Sequence, residues 1–285
     1  MILRENDSLR KTYDRLNAQP TSDIRHYGVV RRKPSFPISW KVPMPISPDA
    51  KELAQTLIDG LERTFLNADD LYDEAVLLTG KGAVARALLL HQISLEECGK
   101  AEMLCVAVFS LLGGAEIDMK RLTRAFSRHE AKNKANAYFL SKSASEVEAE
   151  QSNDTAAAHE AFKDLQNSFH QESNELKNAS LYVNFDGKFI SPRDVINDRH
   201  LADIRQRNAE FMAMAHHKVS VLSRWKTDLD AAADEVAQML TTLGIDALGK
   251  NDFQTLKEFR DSLPAKLETL ARTRKTPSSG GTGRG

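Results

Sequence analysis

Two polar strips in this 285-residue chain carry side chains able to move protons or hold a phosphate. The first is Ser94-Leu95-Glu96-Glu97-Cys98-Gly99-Lys100, set in an otherwise apolar helical pattern. On a wheel of about 100° per residue with Glu96 at zero, Lys100 falls near ~40°, Arg86 near ~80° and Glu97 near ~100°. Four charged groups thus share one arc of a helix that is apolar nearly all round, which is the mark of a buried helix. Half-buried charges need partners. Gly99, at the edge of the arc, costs roughly 1 kcal/mol relative to alanine and is usually compensated by close approach of another backbone or a ligand.

The second strip is RLTRAFSRHEAKNKAN, residues 121 to 136, with Arg124 and His129 five apart, Arg128 between them, and Lys132 and Asn133 one turn beyond the histidine. Histidine passes protons near neutral pH, and arginine or lysine holds a phosphate and steadies developing negative charge. Such a set can cleave RNA without metal: a base takes the 2′-hydroxyl proton, a cation steadies the phosphorane, and an acid protonates the leaving oxygen. On an ideal helix Arg124 and His129 point about 140° apart, so they meet only if Arg124 opens a helix or its side chain wraps round.

Other chemistries lack their parts. There is no HExxH, no Glu-x-x-His pair and no cysteine-rich spacing, so no metal centre is expected. Neither GxGxxG nor a GxxxxGK followed by Ser or Thr is present, so no nucleotide cofactor is expected either. His216-His217 reads as surface or core histidine. Cys98 and Cys105 are seven apart on one predicted helix, roughly 10 Å, which is too far for a disulfide. Both read as core thiols of a cytoplasmic protein.

The elements that must position these strips are helical. Residues 1–46 form a basic, proline-rich arm (RRKPSFPISWKVPMPISP). Ser47-Pro48-Asp49 then opens a helix that runs with apolar steps of three and four to Gly80. A second helix is expected from Ala83 to Leu112, stopped by Gly113-Gly114, and a third from Ile117 to Leu140. Residues 141–180 read as a polar loop leading into an amphipathic helix, and LYVNFDGKFISP reads as a hairpin turning at Asp186-Gly187. Helix resumes from Arg199 to Leu243 with a break near Trp225. The fold class is therefore all-α: a helical bundle over 47–243 with one small β-hairpin insertion near 181–191. A helical appendage at 244–275, kinked at Pro264, and a flexible tail at 276–285 follow.

Charge argues by its distribution, since the formal net charge is only -1 and calls for neither DNA nor a membrane surface. Between 120 and 134 six Lys/Arg (Lys120, Arg121, Arg124, Arg128, Lys132, Lys134) face one acid, Glu130. Between 145 and 176 eight Asp/Glu accompany a single Lys. The first segment can meet phosphate and the second cannot. The longest apolar run, Met103 to Leu112, is too short to span a bilayer.

The order of these pieces resembles a known family. Asn67-Ala68, Ser94-x-Glu96-Glu97-x-Gly99-Lys100, a helix with His129-x-x-Lys132, and Leu181-Tyr182-Val183 before Asp186-Gly187 are similar to the AbiV-type abortive-infection proteins, counted in the all-α HEPN superfamily. The likeness covers roughly residues 50 to 240. It implies a HEPN-like bundle and an antiphage protein of the bacterial cytoplasm, silent until a phage-encoded component triggers it. Many HEPN proteins are homodimeric, metal-independent ribonucleases with Arg-x4-6-His at the dimer interface. Carried over, that motif falls on Arg124 and His129 as the catalytic pair. Lys132, Asn133, Glu96, Glu97, Lys100, Arg86 and Arg128 form the supporting strip. Active members usually have a polar residue after the arginine, and here it is Ala125. Two readings follow: a ribonuclease effector acting on RNA, or a non-catalytic module that binds a protein or nucleotide partner and whose polar strips form an internal ion-pair network.

Overall fold

The computed structural model describes residues 46–242; apart from Ile46, the expected arm, C-terminal appendage and tail lie outside the described residues. Helix α1, Pro48–Gly80, starts where Ser47 Oγ accepts the Ala50 N–H at 3.2 Å and proline takes the first turn. It buries Leu57, Ile58, Leu61, Phe65, Ala68, Tyr72 and Ala75, the inner face its spacing predicts. Gly82, at φ 69°, supplies the left-handed turn into α2, Val84–Leu112.

Helix α2 is the axle of the bundle. Its alanines and most of its leucines are buried, and α1, α4, α6 and α8 all pack against it. Each fully buried Leu or Phe contributes about 1.5–3 kcal/mol, so the bundle closes round α2 because α2 has the most apolar surface to hide.

The segment expected as one helix from 117 to 140 is two. Helix α3, Met119–Phe126, ends where Ser127 Oγ donates to Arg124 O at 2.9 Å; Arg128 is extended (φ -101°, ψ 116°) and α4 restarts at His129–Asn136. The physical reason lies in the apolar positions. Met119, Leu122 and Phe126 anchor α3 on the core, while α4 turns Lys132, Asn133 and Asn136 inward; in a continuous helix of that register Lys132 would point about 110° away from the anchored face. A 3-10 turn, Ala137–Phe139, follows.

The stretch expected as a polar loop contains α5, Ala144–Gln151, capped by Ser143, before α6, Thr155–Leu181, capped by Asp154. The hairpin is present: β1, Asn184–Phe185, pairs antiparallel with β2, Phe189–Ile190. Three residues, not two, connect the strands, with Gly187 at φ 69°. Helices α7, Pro192–Val195, α8, Asp198–Trp225, and α9, Leu229–Thr242, complete the described residues. The break after Trp225 is held by its indole N–H, which donates to Glu235 at 2.7 Å, and by Lys226, which pairs with Asp59 and Glu62. No described helix is long and apolar enough to cross a membrane.

Candidate functional site

The site is built around one carboxylate. Glu96, midway along α2, is 1% exposed. Its Oε2 lies 2.5 Å from His129 Nδ1 and 2.9 Å from Lys132 Nζ, and its Oε1 accepts from Lys177 Nζ at 3.0 Å. Three cation-forming groups, two from α4 and one from α6, thus converge on a single buried acid. Burial alone would raise the Glu96 pKa; the hydrogen bonds from Lys132, His129 and Lys177 outweigh it and hold the carboxyl below its usual range. Both lysines are themselves buried, and before His129 is counted the cluster carries two positive charges against one negative.

Gly99 makes this convergence possible. A Cβ there would lie 2.9 Å from the carbonyl carbon of Lys132, closer still to its oxygen, and 3.2 Å from Asn136 Cγ. The backbone of α4 therefore rests directly on α2 one turn beyond Glu96. Asn136 ties the contact by donating from Nδ2 to Leu95 O at 2.6 Å.

His129 is exposed: 54% of its side chain is open to solvent although Nδ1 is held from inside. A carboxylate only accepts, so the ring donates from Nδ1 and keeps Nε2 for the outer side. This is the carboxylate–imidazole arrangement that orients a general base and stabilises its protonated form.

The other residues of the two strips are divided. Glu97 is a separate pair, accepting from Asn67 Nδ2 at 3.2 Å and from Lys100 Nζ at 3.4 Å, with Lys100 over the Phe126 ring. Arg86 joins neither glutamate; it donates to the carbonyls of Ser180 and Leu181 at 3.4 Å each, pinning the end of α6. Arg128 is exposed and pairs with Glu130 at 2.7 Å. Arg124 is exposed in the last turn of α3, where its Nε donates to Lys120 O at 3.0 Å. Among the described residues no hydrogen bond or ion pair joins Arg124 to His129. Asn133 is buried and faces His170 on α6, 3.3 Å between Nδ2 and Nδ1.

Two groups at the site escaped sequence reading, Lys177 and His170, both on α6. The available signal was their spacing: seven residues places them two turns apart on one face, with buried Ser173 between them. Among the described residues no His, Cys, Asp or Glu cluster fits a metal ion. The two cysteines are buried and free, and burial pushes both thiols up to about 12.

The described residues form a nearly all-helical bundle with a polar seam between α2, α4 and α6. The family model of AbiV, a HEPN family, matches residues 56–213, a stretch that includes Glu96, Gly99, His129, Lys132, His170 and Lys177. The chain belongs to the AbiV family, and membership implies an abortive-infection protein. The uncharacterized protein y4gJ of Sinorhizobium fredii is 40% identical over 117 residues, which is 40% of this chain and 61% of that protein. The chain thus spans less than two thirds of the length of that relative. No solved structure matches.

Proposed function

We propose that this AbiV protein is an antiphage effector that cuts RNA without a metal ion and so arrests the infected cell. The observation that carries the reading is the Glu96–His129 pair: a half-exposed imidazole held from within by a buried carboxylate, beside two buried lysines. His129 Nε2 takes the proton of a ribose 2′-hydroxyl. The 2′-oxygen bonds to phosphorus as the P–O5′ bond breaks, and a solvent water on the opposite side gives the departing 5′-oxygen its proton, because attack and departure are in line. The products are a 2′,3′-cyclic phosphate and a 5′-hydroxyl. Glu96 orients the ring, and the lysines supply the positive field that favours a phosphate there.

Arg124 donates to Lys120 O and, among the described residues, makes no hydrogen bond to its own His129, so in this reading it serves the site of a second copy in a homodimer. A phage-encoded component is the trigger, and the bacterial cytoplasm is where both meet. Purified protein, with its trigger if one is needed, is expected to cut RNA in EDTA and leave cyclic-phosphate ends. Replacing His129 by alanine should lower the rate by about 10²–10⁴ while the protein stays folded. Cleavage that survives His129→Ala, or that stops in EDTA, sinks the reading.

One feature favours a non-catalytic module instead: Glu96 is bound by two lysines and an imidazole and joins three helices, which suits a structural clamp holding a surface for a protein or nucleotide partner. Ala125 after the arginine points the same way. Under that reading the wild-type protein leaves RNA intact, and Glu96→Ala loses activity only in proportion to stability. Exchanging the charges of Glu96 and Lys177 should then restore both together.

A further inference from the structure

Asn133 is 1% exposed, and the hydrogen-bond partner of its carboxamide is His170 Nδ1, 3.3 Å from Asn133 Nδ2. Its Oδ1 has no hydrogen-bond partner among the described residues. Burying an amide this way is costly unless the group holds something in place. What it holds is an imidazole that is itself only half-buried.

His170 and Lys177 stand two turns apart on α6, and Lys177 reaches Glu96 at 3.0 Å. Asn133 stands one turn after His129 on α4, where residues four apart have Cβ atoms about 6 Å apart. His129 on α4 thus touches the Glu96–Lys132–Lys177 cluster directly, and His170 on α6 meets the same seam through Asn133, the residue after Lys132.

Opposite chemistries hold the two rings. Glu96 can only accept, so it places the proton of a neutral His129 on Nδ1 and leaves the Nε2 lone pair open. With the amide nitrogen of Asn133 turned to the ring, that nitrogen can only donate, and in this orientation the lone pair of His170 lies on Nδ1 and its proton on Nε2. One ring offers an acceptor and the other a donor.

We infer that His170 is a phosphate-contacting residue: its Nε2–H donates to a non-bridging oxygen of an RNA phosphodiester seated in the positive field of Lys132 and Lys177, while His129 handles the proton. This rests on the RNA-cleaving reading of the same site for the identity of the ligand. It also accounts for the buried Asn133.

The test uses the full chain with nitrogen-labelled histidines, titrated with a 2′-O-methyl oligoribonucleotide, which lacks the attacking hydroxyl. Inorganic phosphate serves as competitor, and signals are assigned with His129→Gln and His170→Gln. His170 should be found protonated on Nε2 and His129 on Nδ1, and the oligonucleotide should shift both rings. His170→Ala should weaken binding about 5-fold, the size of one ordinary hydrogen bond, whereas His170→Gln, whose amide also donates, keeps it. In cleavage, His170→Gln should leave the pH profile unchanged, since the ring transfers no proton.

The tautomers and shifts are read on the wild-type protein, so a variant that fails to fold does not remove the test. A His170 protonated on Nδ1, a His170 signal that stays still while His129 moves, or no shift of either ring overturns the inference. If both rings respond but no RNA is cut, the cleaving reading fails and the phosphate contact stands. If RNA is cut by way of His129 and His170 stays still, the inference fails alone.

Discussion

Gly99→Ala sets two effects of known size against each other. In an open helix the change stabilises by roughly 1 kcal/mol, because alanine loses less backbone freedom than glycine. Here the added methyl meets backbone: 2.9 Å to the Lys132 carbonyl carbon and less to its oxygen. Carbon atoms in contact prefer about 3.5–4.0 Å, so α4 must retreat by roughly 1 Å. That displacement stretches the 2.5 Å His129–Glu96 and 2.9 Å Lys132–Glu96 contacts beyond hydrogen-bonding distance. Overpacking costs about 1–3 kcal/mol, and each charge-assisted bond that is weakened costs about 1.5–3 kcal/mol before relaxation. The clash wins. A net loss of about 2 kcal/mol is expected, a fall in Tm of roughly 4–8 °C for a domain of this size, together with a changed His129 resonance. Thermal unfolding and histidine NMR on the same sample read both. If G99A raises Tm by the few degrees that helix propensity alone predicts, and His129 is unmoved, then α4 does not rest on α2 as described and the site geometry is wrong.

Further outcomes follow from the same arrangement. Glu96→Ala leaves two buried lysines without their counter-charge and should destabilise by about 3–5 kcal/mol in urea unfolding; a loss under ~1 kcal/mol would mean that the cluster is solvated. His91 is fully buried, and burial first, then the charge of Arg205, lowers its pKa to about 4. The unfolded chain takes up that proton first as pH falls, so stability is complete above pH ~6.5 and declines toward pH 4 by about 3 kcal/mol. Glu96, held low, adds a loss of the same sign at more acidic pH. Denaturation midpoints across this range check it, and His91→Gln should flatten the slope between pH 6.5 and 4. Cys98 and Cys105 should resist a thiol reagent in the native protein and react fully in denaturant; rapid native labelling would contradict their burial.

The fold was largely legible because its signals are local. Ser47-Pro48, the steps of three and four along α1 and the Asp186-Gly187 turn each act within a few residues. Even the polar island at Glu96 announced itself, since charges on an all-apolar helix must be met by something. What met it was less legible. The break at Ser127-Arg128 depends on α4 docking on Gly99, a contact between residues 33 apart in sequence (Gly99 and Lys132), and without that break Arg124 and His129 read as one motif. Wheel geometry grouped Arg86 with the glutamates, yet the end of α6 offered it two carbonyls instead. Lys177 sits 81 residues from Glu96 and in an acidic neighbourhood, so nothing local marked it as a partner. His170 was hidden in the same way, and only the buried Asn133 betrays it.

The most direct test of the central claim is the pattern of RNA ends in infected or induced cells carrying the wild-type protein or His129→Ala, with both shown to be folded and equally abundant. New 5′-hydroxyl and 2′,3′-cyclic phosphate ends should accompany growth arrest in the wild type and vanish with the substitution. Growth arrest with the same RNA pattern in both would contradict the claim.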